Sequence, residues 1–139
     1  MLMEVALVVA KRGTCSRLQV GAVISRDGRI ITTGYNGAPS GLPHCDHRFD
    51  GPEAGGCEIA EHAERNAVAF AAKYGLALDN AEVHCTHAPC LACSRTLVNS
   101  GITRVSYAIP YRLTAGVELL ETAGVEVLQL SLPNGRMLW

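Results

Sequence analysis

Histidine and cysteine residues with the spacing of metal ligands lie in the middle of this chain of 139 residues. His62 precedes Glu64 by two positions, and Cys90 and Cys93 directly follow Pro89. Cysteines three residues apart at the start of a helix place their sulfurs on one face, and the helix N-terminus favours the thiolate form. Three protein ligands that leave the fourth tetrahedral position to water are typical of a catalytic zinc site. The two motifs therefore predict a catalytic zinc centre held by His62, Cys90 and Cys93.

Glu64 has a different role in this interpretation. A separation of two residues does not bring Glu64 and His62 onto one face of a helix, so a joint role as metal ligands is awkward. We expect Glu64 to carry protons between water and substrate. The alternatives are a closed zinc site without turnover, or helix residues unrelated to a metal.

Three further cysteines predict a second, structural zinc site. Cys15, Cys45 and Cys57 lie before the first predicted strand, within a long loop and just before the helix of the first motif. A loop that folds back over the first hairpin would bring them together, and a closed zinc site needs a fourth ligand. His47 is our first choice and His44 remains open. The alternative is three separate thiols.

The elements that must position these residues follow from the periodicity of the apolar residues and from the glycines. Asp27-Gly28 between two runs rich in Val and Ile predicts a β-hairpin. Strands that then alternate with helices predict a mixed sheet with helices on both faces. We predict helices over 2–12, 59–74, 89–100 and 114–123, and strands over 20–25, 29–35, 82–86, 102–108 and 125–130. The loop over 36–56 is long enough that a function or a tether is expected.

Length and composition limit the classes of protein that remain. A chain of this size predicts one domain over 1–139. Its composition, with 48% hydrophobic and 18% charged residues, excludes a largely disordered chain. A net charge of −1 disfavours binding to long nucleic acid or to an anionic membrane. Since Glu4 interrupts the apolar N-terminus, only a short apolar run over Val5–Ala10 remains and no small-residue cleavage site follows it. We therefore predict a buried first helix and a cytoplasmic protein.

Four stretches identify a family resemblance. His-x-Glu followed by Pro-Cys-x-x-Cys is the signature of zinc deaminases. The chain resembles the deoxycytidylate (dCMP) deaminases of bacteria and phages, within the cytidine deaminase-like superfamily. The resemblance implies an α/β fold, a three-layer α/β/α sandwich around a mixed five-stranded sheet. The matching stretches are Thr14–Ile24, Gly34–Gly41, His62–Ala67 and Thr86–Cys93.

The resemblance implies zinc-dependent hydrolysis of dCMP to dUMP and ammonia, with Glu64 moving the protons. It implies that Asn36 contacts the sugar and that Tyr111 lies near base and sugar. Residues with small side chains would line the base pocket, namely Val20, Ala22 and Ala63. The alternatives are that Asn36 stabilises a turn and that Tyr111 is an ordinary surface aromatic residue.

Arg17 is our candidate for contact with the nucleotide phosphate, because a guanidinium group matches phosphate geometry. The alternative is a solvated arginine beside a strand. Some members of the family that the chain resembles bind a second zinc ion, with cysteines at the positions that match Cys15 and Cys45. The resemblance therefore also implies a second zinc site here.

Regulation and assembly are further expectations from the resemblance. It implies activation by dCTP with Mg²⁺, inhibition by dTTP, and a homo-oligomer, a hexamer in the first instance. The regulatory nucleotide would lie against a glycine-rich stretch whose N–H groups can approach phosphates closely. That stretch contains Gly34, Tyr35, Asn36, Gly37 and Gly41. The alternative is that these glycines only form a turn.

Two other functions remain open at this point. One is deamination of another base, such as a modified dCMP, guanine, free cytidine or adenosine in tRNA. The near-neutral charge argues against tRNA, and the stretch Gly34–Gly41 argues against free nucleosides. The other is a catalytically silent zinc module that regulates a partner. The intact Glu64 argues against that function.

Overall fold

A computed structural model describes residues 1–132 of the chain, so the last seven residues of the predicted domain 1–139 lie outside the description. Five strands run in chain order as β1 (Gly21–Arg26), β2 (Arg29–Tyr35), β3 (Glu82–His87), β4 (Arg104–Ile109) and β5 (Glu126–Gln129). They form one sheet in the order β2-β1-β3-β4-β5. β1 pairs antiparallel with β2 and β3, whereas β3, β4 and β5 are parallel. The predicted mixed five-stranded sheet is confirmed.

The hairpin between β1 and β2 has the two-residue turn that the sequence predicts. Asp27 and Gly28 both have positive φ, at 53° and 76°. This backbone matches the right-handed twist of the flanking strands, and Asp-Gly adopts it at low cost. Arg26 consequently pairs with Arg29.

Four helices cover the sheet, namely α1 (Leu2–Ala10), α2 (Ala63–Lys73), α3 (Leu91–Asn99) and α4 (Ala115–Thr122). One apolar cluster joins α1 to the sheet, and a larger cluster joins the sheet to the three other helices. The three-layer α/β/α sandwich is therefore confirmed. The predicted burial of the first helix holds for one face only, because Val8 is 58% exposed on the other.

Two helix starts differ from the prediction in a way that matters for the site. α2 begins at Ala63, four residues later than predicted, and His62 is its N-cap. α3 begins at Leu91, and Cys90 is its N-cap. Both N-cap residues have extended backbone rather than helical backbone. Their side chains therefore project from the ends of the helices. Within residues 1–132, the helices are too short or too polar to cross a membrane.

The long connection between β2 and α2 is fastened at both of its ends. Gly37 and Glu61 exchange backbone hydrogen bonds of 3.1 and 2.8 Å. Asn66 in α2 donates to the carbonyl of Tyr35 at 2.8 Å. The start of α2 is thereby held against the end of β2.

Gly34 permits the closest approach between β2 and α2. A Cβ atom at this position would overlap the carbonyl oxygen of Ala63 and would lie 2.6 Å from the backbone nitrogen of Ala67. Both neighbours belong to helical backbone, which cannot rotate away as a flexible side chain can. The absence of a side chain at Gly34 thus sets the distance between the sheet and the helix that follows His62.

We therefore expect Gly34→Ala to destabilise the fold by about 2 kcal/mol or more, since overpacking against backbone forces elements apart. Chemical denaturation measures this free energy of unfolding. Gly51→Ala is the matched control, because a Cβ at Gly51 meets no atom within 4 Å and its φ is not positive. Equal stability of the two variants would contradict this account of the packing.

Candidate active site

Three ligand atoms meet where α2 and α3 begin. Nδ1 of His62 lies 3.4 Å from Sγ of Cys90 and 3.4 Å from Sγ of Cys93. These atoms all lie within 4.8 Å of one another. The spacing along the chain is 28 and 31 residues, so the packing of the two helices creates the group.

Contacts among the three ligand groups shift their pKa values in different directions. Hydrogen bonds from Cys93 and His62 lower the pKa of the Cys90 thiol to about 3. The contact with Cys90 also raises the pKa of His62. The hydrogen bond to Cys90, together with burial, raises the pKa of Cys93. A thiolate at the start of a helix is a soft anionic ligand that suits zinc.

The dimensions of the group fit zinc. Tetrahedral zinc with Zn–S bonds of about 2.3 Å and Zn–N bonds of about 2.0–2.1 Å places nitrogen and sulfur about 3.5 Å apart. The two observed distances of 3.4 Å agree with this separation. A His-Cys-Cys set leaves a fourth position free for water or substrate.

Glu64 lies in the first turn of α2 and is buried. Burial raises the pKa of its carboxyl group. Glu64 also contacts the thiols of Cys93 and Cys85. Burial, followed by the charge of Glu64, raises the pKa of Cys85, which keeps that thiol neutral. A carboxyl group in these surroundings accepts and releases protons more readily near neutral pH than a solvated one.

A cavity of about 270 Å³ opens beside the ligand group. Of the predicted substrate contacts, five line it: Arg17, Val20, Asn36, Ala63 and Tyr111. The sequence analysis did not place Leu18, Gly56, Ala60 and Ala88 at this cavity, nor did it assign His87, and all five contribute to the lining. Gly56, Ala60 and Ala88 are too small to carry a sequence signal of their own, and Leu18 and His87 belong to no motif that would place them here, so only the fold identifies these five residues.

Ala22 differs from the prediction. It is fully buried between Gly34 of β2 and Cys85 of β3, and it belongs to the core cluster rather than to the lining of the cavity. Its neighbours on both strands and the overlying α2 cover it. Its small side chain therefore serves the packing of α2 on the sheet.

Asn36 has two structural hydrogen bonds in addition to its place at the cavity. Its Oδ1 accepts from the N–H of Val20 at 2.8 Å, and its Nδ2 donates to the carbonyl of Leu18 at 2.7 Å. These bonds hold the segment that carries Arg17 and Val20 against the end of β2. The amide retains one further donor hydrogen and one further lone pair for a ligand.

The second predicted group of ligands is also assembled. Ligand atoms of Cys15, Cys45, His47 and Cys57 lie within 4.8 Å of one another. Nε2 of His47 is 3.4 Å from Sγ of Cys15. Among the described residues, His44 lies outside this group. The long loop brings the four together by folding back over the segment before β1.

The thiols of this group differ in their ionisation. Burial works against the thiolate of Cys57, but hydrogen bonds from the N–H groups of Ala60 and Ile59 lower the pKa of this thiol to about 7. The N–H of Ala60 lies 3.4 Å from its sulfur. Burial and the neighbouring Cys15 raise the pKa of Cys45 to about 11.

Asp50 is a residue that the sequence analysis missed. Its carboxylate lies 2.6 Å from Nδ1 of His47 and 3.1 Å from Nη2 of Arg17. The hydrogen bond that Nδ1 of His47 donates to the Asp50 carboxylate is the largest cause that raises the pKa of His47. An aspartate three residues after a histidine in a loop is too common to signal such a role.

Comparison with known proteins agrees with this geometry. A family described as the cytidine and deoxycytidylate deaminase zinc-binding region matches residues 1–109. ComE operon protein 2 of Bacillus subtilis is 41% identical over 126 residues, which cover 90% of this chain and 67% of that protein. Deoxycytidylate deaminase of Saccharomyces cerevisiae is 35% identical over 93% of this chain, but the match covers only 43% of the yeast protein.

Among solved structures, dCMP deaminase from the cyanophage S-TIM5, in complex with dCMP and dUMP, is similar with a TM-score of 0.83. The two proteins are 34% identical, and the match covers 92% of this chain and 93% of the cyanophage chain.

A pair of thiol deletions tests the ligand group. We expect Cys90→Ala to lose one zinc ion per folded chain, because two ligands hold zinc far more weakly than three. Cys85→Ala is the control, since it removes a buried thiol that lies outside the group. Inductively coupled plasma mass spectrometry of the purified proteins measures the number of zinc ions per chain. Unchanged zinc in Cys90→Ala, or an equal loss in Cys85→Ala, would contradict the assignment.

Proposed function

This chain belongs to the cytidine and deoxycytidylate deaminase family, and from that premise we propose that it hydrolyses dCMP to dUMP and ammonia. The observation that carries the proposal is the buried Glu64 beside the group of His62, Cys90 and Cys93, at the wall of a cavity. The solved cyanophage relative, which binds dCMP and dUMP, supports the choice of substrate.

In this proposal the cytosine ring lies in the cavity with C4 towards the ligand group. His62, Cys90 and Cys93 would hold zinc, which when bound would act as a Lewis acid and lower the pKa of water to about 7. Ala63 and Val20 leave room for the flat ring, because their side chains are short. The cavity walls exclude bulk water from the ring.

Glu64 performs the proton transfers. Its carboxylate takes one proton from the attacking water and delivers it to N3 of the ring, while oxygen adds to C4. The carboxylate then takes the second proton from the hydroxyl group added at C4 and passes it to the amino group, and the bond between C4 and nitrogen breaks to release ammonia. One water is consumed and the ring becomes uracil, so Glu64 ends the cycle ionised as it began. The raised pKa of its buried carboxyl suits both the uptake and the release of the proton.

The remaining contacts of the nucleotide are proposed from the lining of the cavity. Asn36 offers its free donor and lone pair to the sugar. Tyr111, which is 37% exposed, offers its ring at the mouth, near base and sugar. Arg17 offers N–H donors to the phosphate.

A structural zinc ion at the second group belongs to the same proposal. Cys15, Cys45, Cys57 and His47 form a set of three thiols and one imidazole, which is a normal composition for a closed site. The distance of 3.4 Å between His47 and Cys15 supports zinc, as it does in the first group. Such an ion would stabilise the loop that forms one wall of the cavity.

Regulation and assembly stay predictions. The stretch proposed for dCTP with Mg²⁺ and for dTTP has structural roles of its own: Gly34 adjoins α2, Gly37 pairs with Glu61, and Gly41 has a φ of 83°. Tyr35 lies at the surface, with the guanidinium of Arg12 5.8 Å from its ring centroid. The homohexamer and the cytoplasmic location are likewise predictions from the sequence.

Glu64→Gln tests the mechanism. The amide keeps the shape of the side chain but cannot carry a proton, so we expect zinc to remain bound and kcat for dCMP to fall by about 10³-fold. Ammonia release measures deamination of dCMP, CMP, dCTP and deoxycytidine by the unchanged chain, with dCMP the preferred substrate. Glu58→Gln is the matched control, because Glu58 is exposed. Near-normal deamination by Glu64→Gln would overturn the mechanism, and preference for another substrate would overturn the choice of dCMP.

Metal analysis tests the second zinc. We expect two zinc ions per chain, and one in Cys45→Ser, because a site with two thiolates and one imidazole retains zinc less tightly. Cys85→Ser serves as the control, which keeps both ions. One zinc ion per fully loaded native chain would contradict the second site.

A further inference from the structure

Arg17 is held in place at the cavity by two contacts from one loop. Its Nη1 donates to the carbonyl of Gly55, and its Nη2 lies 3.1 Å from Oδ2 of Asp50. Among the described residues that line the cavity, Arg17 alone carries a permanent positive charge. An arginine side chain loses much rotamer freedom when it binds an anion, so prior fixation reduces the cost of binding.

Asp50 connects Arg17 to the second group of ligands. The same Oδ2 that faces Arg17 lies 2.6 Å from Nδ1 of His47. Nε2 of that ring faces Sγ of Cys15 at 3.4 Å. A carboxylate on the outer nitrogen of a ligand histidine fixes the orientation and tautomer of the ring. Asp50 therefore contacts the metal group on one side and the cavity arginine on the other.

The local backbone makes this contact rigid. The N–H of Asp50 donates to the carbonyl of His47 at 3.2 Å, so the two residues close one turn. The N–H of Ala54 donates to the carbonyl of Gly51 at 3.0 Å and closes the next turn. These turns place the carboxylate of Asp50 and the carbonyl of Gly55 around a single guanidinium group.

We infer that Asp50 is a positioning residue, which aims Arg17 at the 5′-phosphate of the substrate and ties that arginine to the Cys15–Cys45–His47–Cys57 group. This inference rests on the proposed function. It predicts that the contact serves nucleotides and not nucleosides, since only the phosphate meets Arg17. Arg17 keeps its remaining N–H donors for the phosphate, because a guanidinium group has five.

The negative charge of Asp50 does not cancel the attraction between Arg17 and the phosphate. Its Oδ2 is shared between Arg17 and His47, and Asp50 is not among the residues that line the cavity. The phosphate therefore meets the donors of Arg17 and not an unpaired carboxylate.

The first experiment compares a nucleotide with a nucleoside in Asp50→Asn. We expect KM for dCMP to rise roughly tenfold with kcat unchanged, and kcat/KM for deoxycytidine to stay within about twofold of its original value. Calorimetry with dUMP and deoxyuridine repeats the comparison without turnover, on protein of matched zinc content. Asp46→Asn is the control, since Asp46 is in the same loop and, within residues 1–132, forms its ion pair with Arg48 and not with Arg17. Asp50→Glu should recover part of the affinity for dUMP.

A double-mutant cycle decides whether Asp50 acts through Arg17. We expect Arg17→Gln to weaken the binding of dUMP more than Asp50→Asn does. The double variant should bind dUMP with the same affinity as Arg17→Gln alone. Three results would each overturn the inference. The losses of dUMP affinity in the two single variants could add up in the double variant, Asp50→Asn could weaken dUMP and deoxyuridine equally, or Asp50→Asn could bind dUMP more tightly. An unchanged chain that does not deaminate dCMP would instead overturn the proposed function, and the inference with it. The two failures are thus distinguished by the behaviour of the unchanged chain.

Discussion

The whole site depends on the close approach of two helix N-termini. His62 caps α2 and Cys90 caps α3, and their ligand atoms lie 3.4 Å apart although 28 residues separate them. Such a distance tolerates little movement, because metal–ligand bonds vary by only tenths of an ångström. The distance between α2 and the sheet must therefore be fixed. Gly34 permits this short distance because it has no side chain that would collide with the backbone of Ala63 and Ala67.

The same approach determines the chemistry of Glu64. Because α2 is pressed against β1 and β2, its first turn is buried, and the carboxyl group of Glu64 lies against the thiols of Cys85 and Cys93. Desolvation disfavours the charged carboxylate and raises its pKa. A solvated glutamate at the same place in the sequence would be a weaker base and would take a proton from water less readily. The packing of the helix therefore tunes the proton carrier as well as placing the metal ligands.

The long loop completes the site from the opposite side. Gly56 and Cys57 line the cavity, and Cys57 also belongs to the second group of ligands. A loop of this length has few apolar contacts of its own, so its order must come from specific bonds. The cluster of thiols and the Asp50 contacts supply such bonds. Substrate binding and the integrity of the loop are consequently linked.

Features that depend on short spacing along the chain could be predicted from the amino-acid sequence. The Asp27-Gly28 turn, the alternation of strands and helices, and the Cys90–Cys93 pair at a helix start all follow from local backbone geometry, and the structure agrees with each. The same local reasoning misplaced the start of α2 by four residues, because Ile59 and Ala60 favour a helix while the pairing of Gly37 with Glu61 holds that segment extended. Three other features became apparent from the folded chain: Ala22 belongs to the core, His47 rather than His44 joins the cysteines, and Asp50 lies between His47 and Arg17. These outcomes depend on which distant segments come together, and that is set by the packing of the whole chain rather than by the preferences of neighbouring residues.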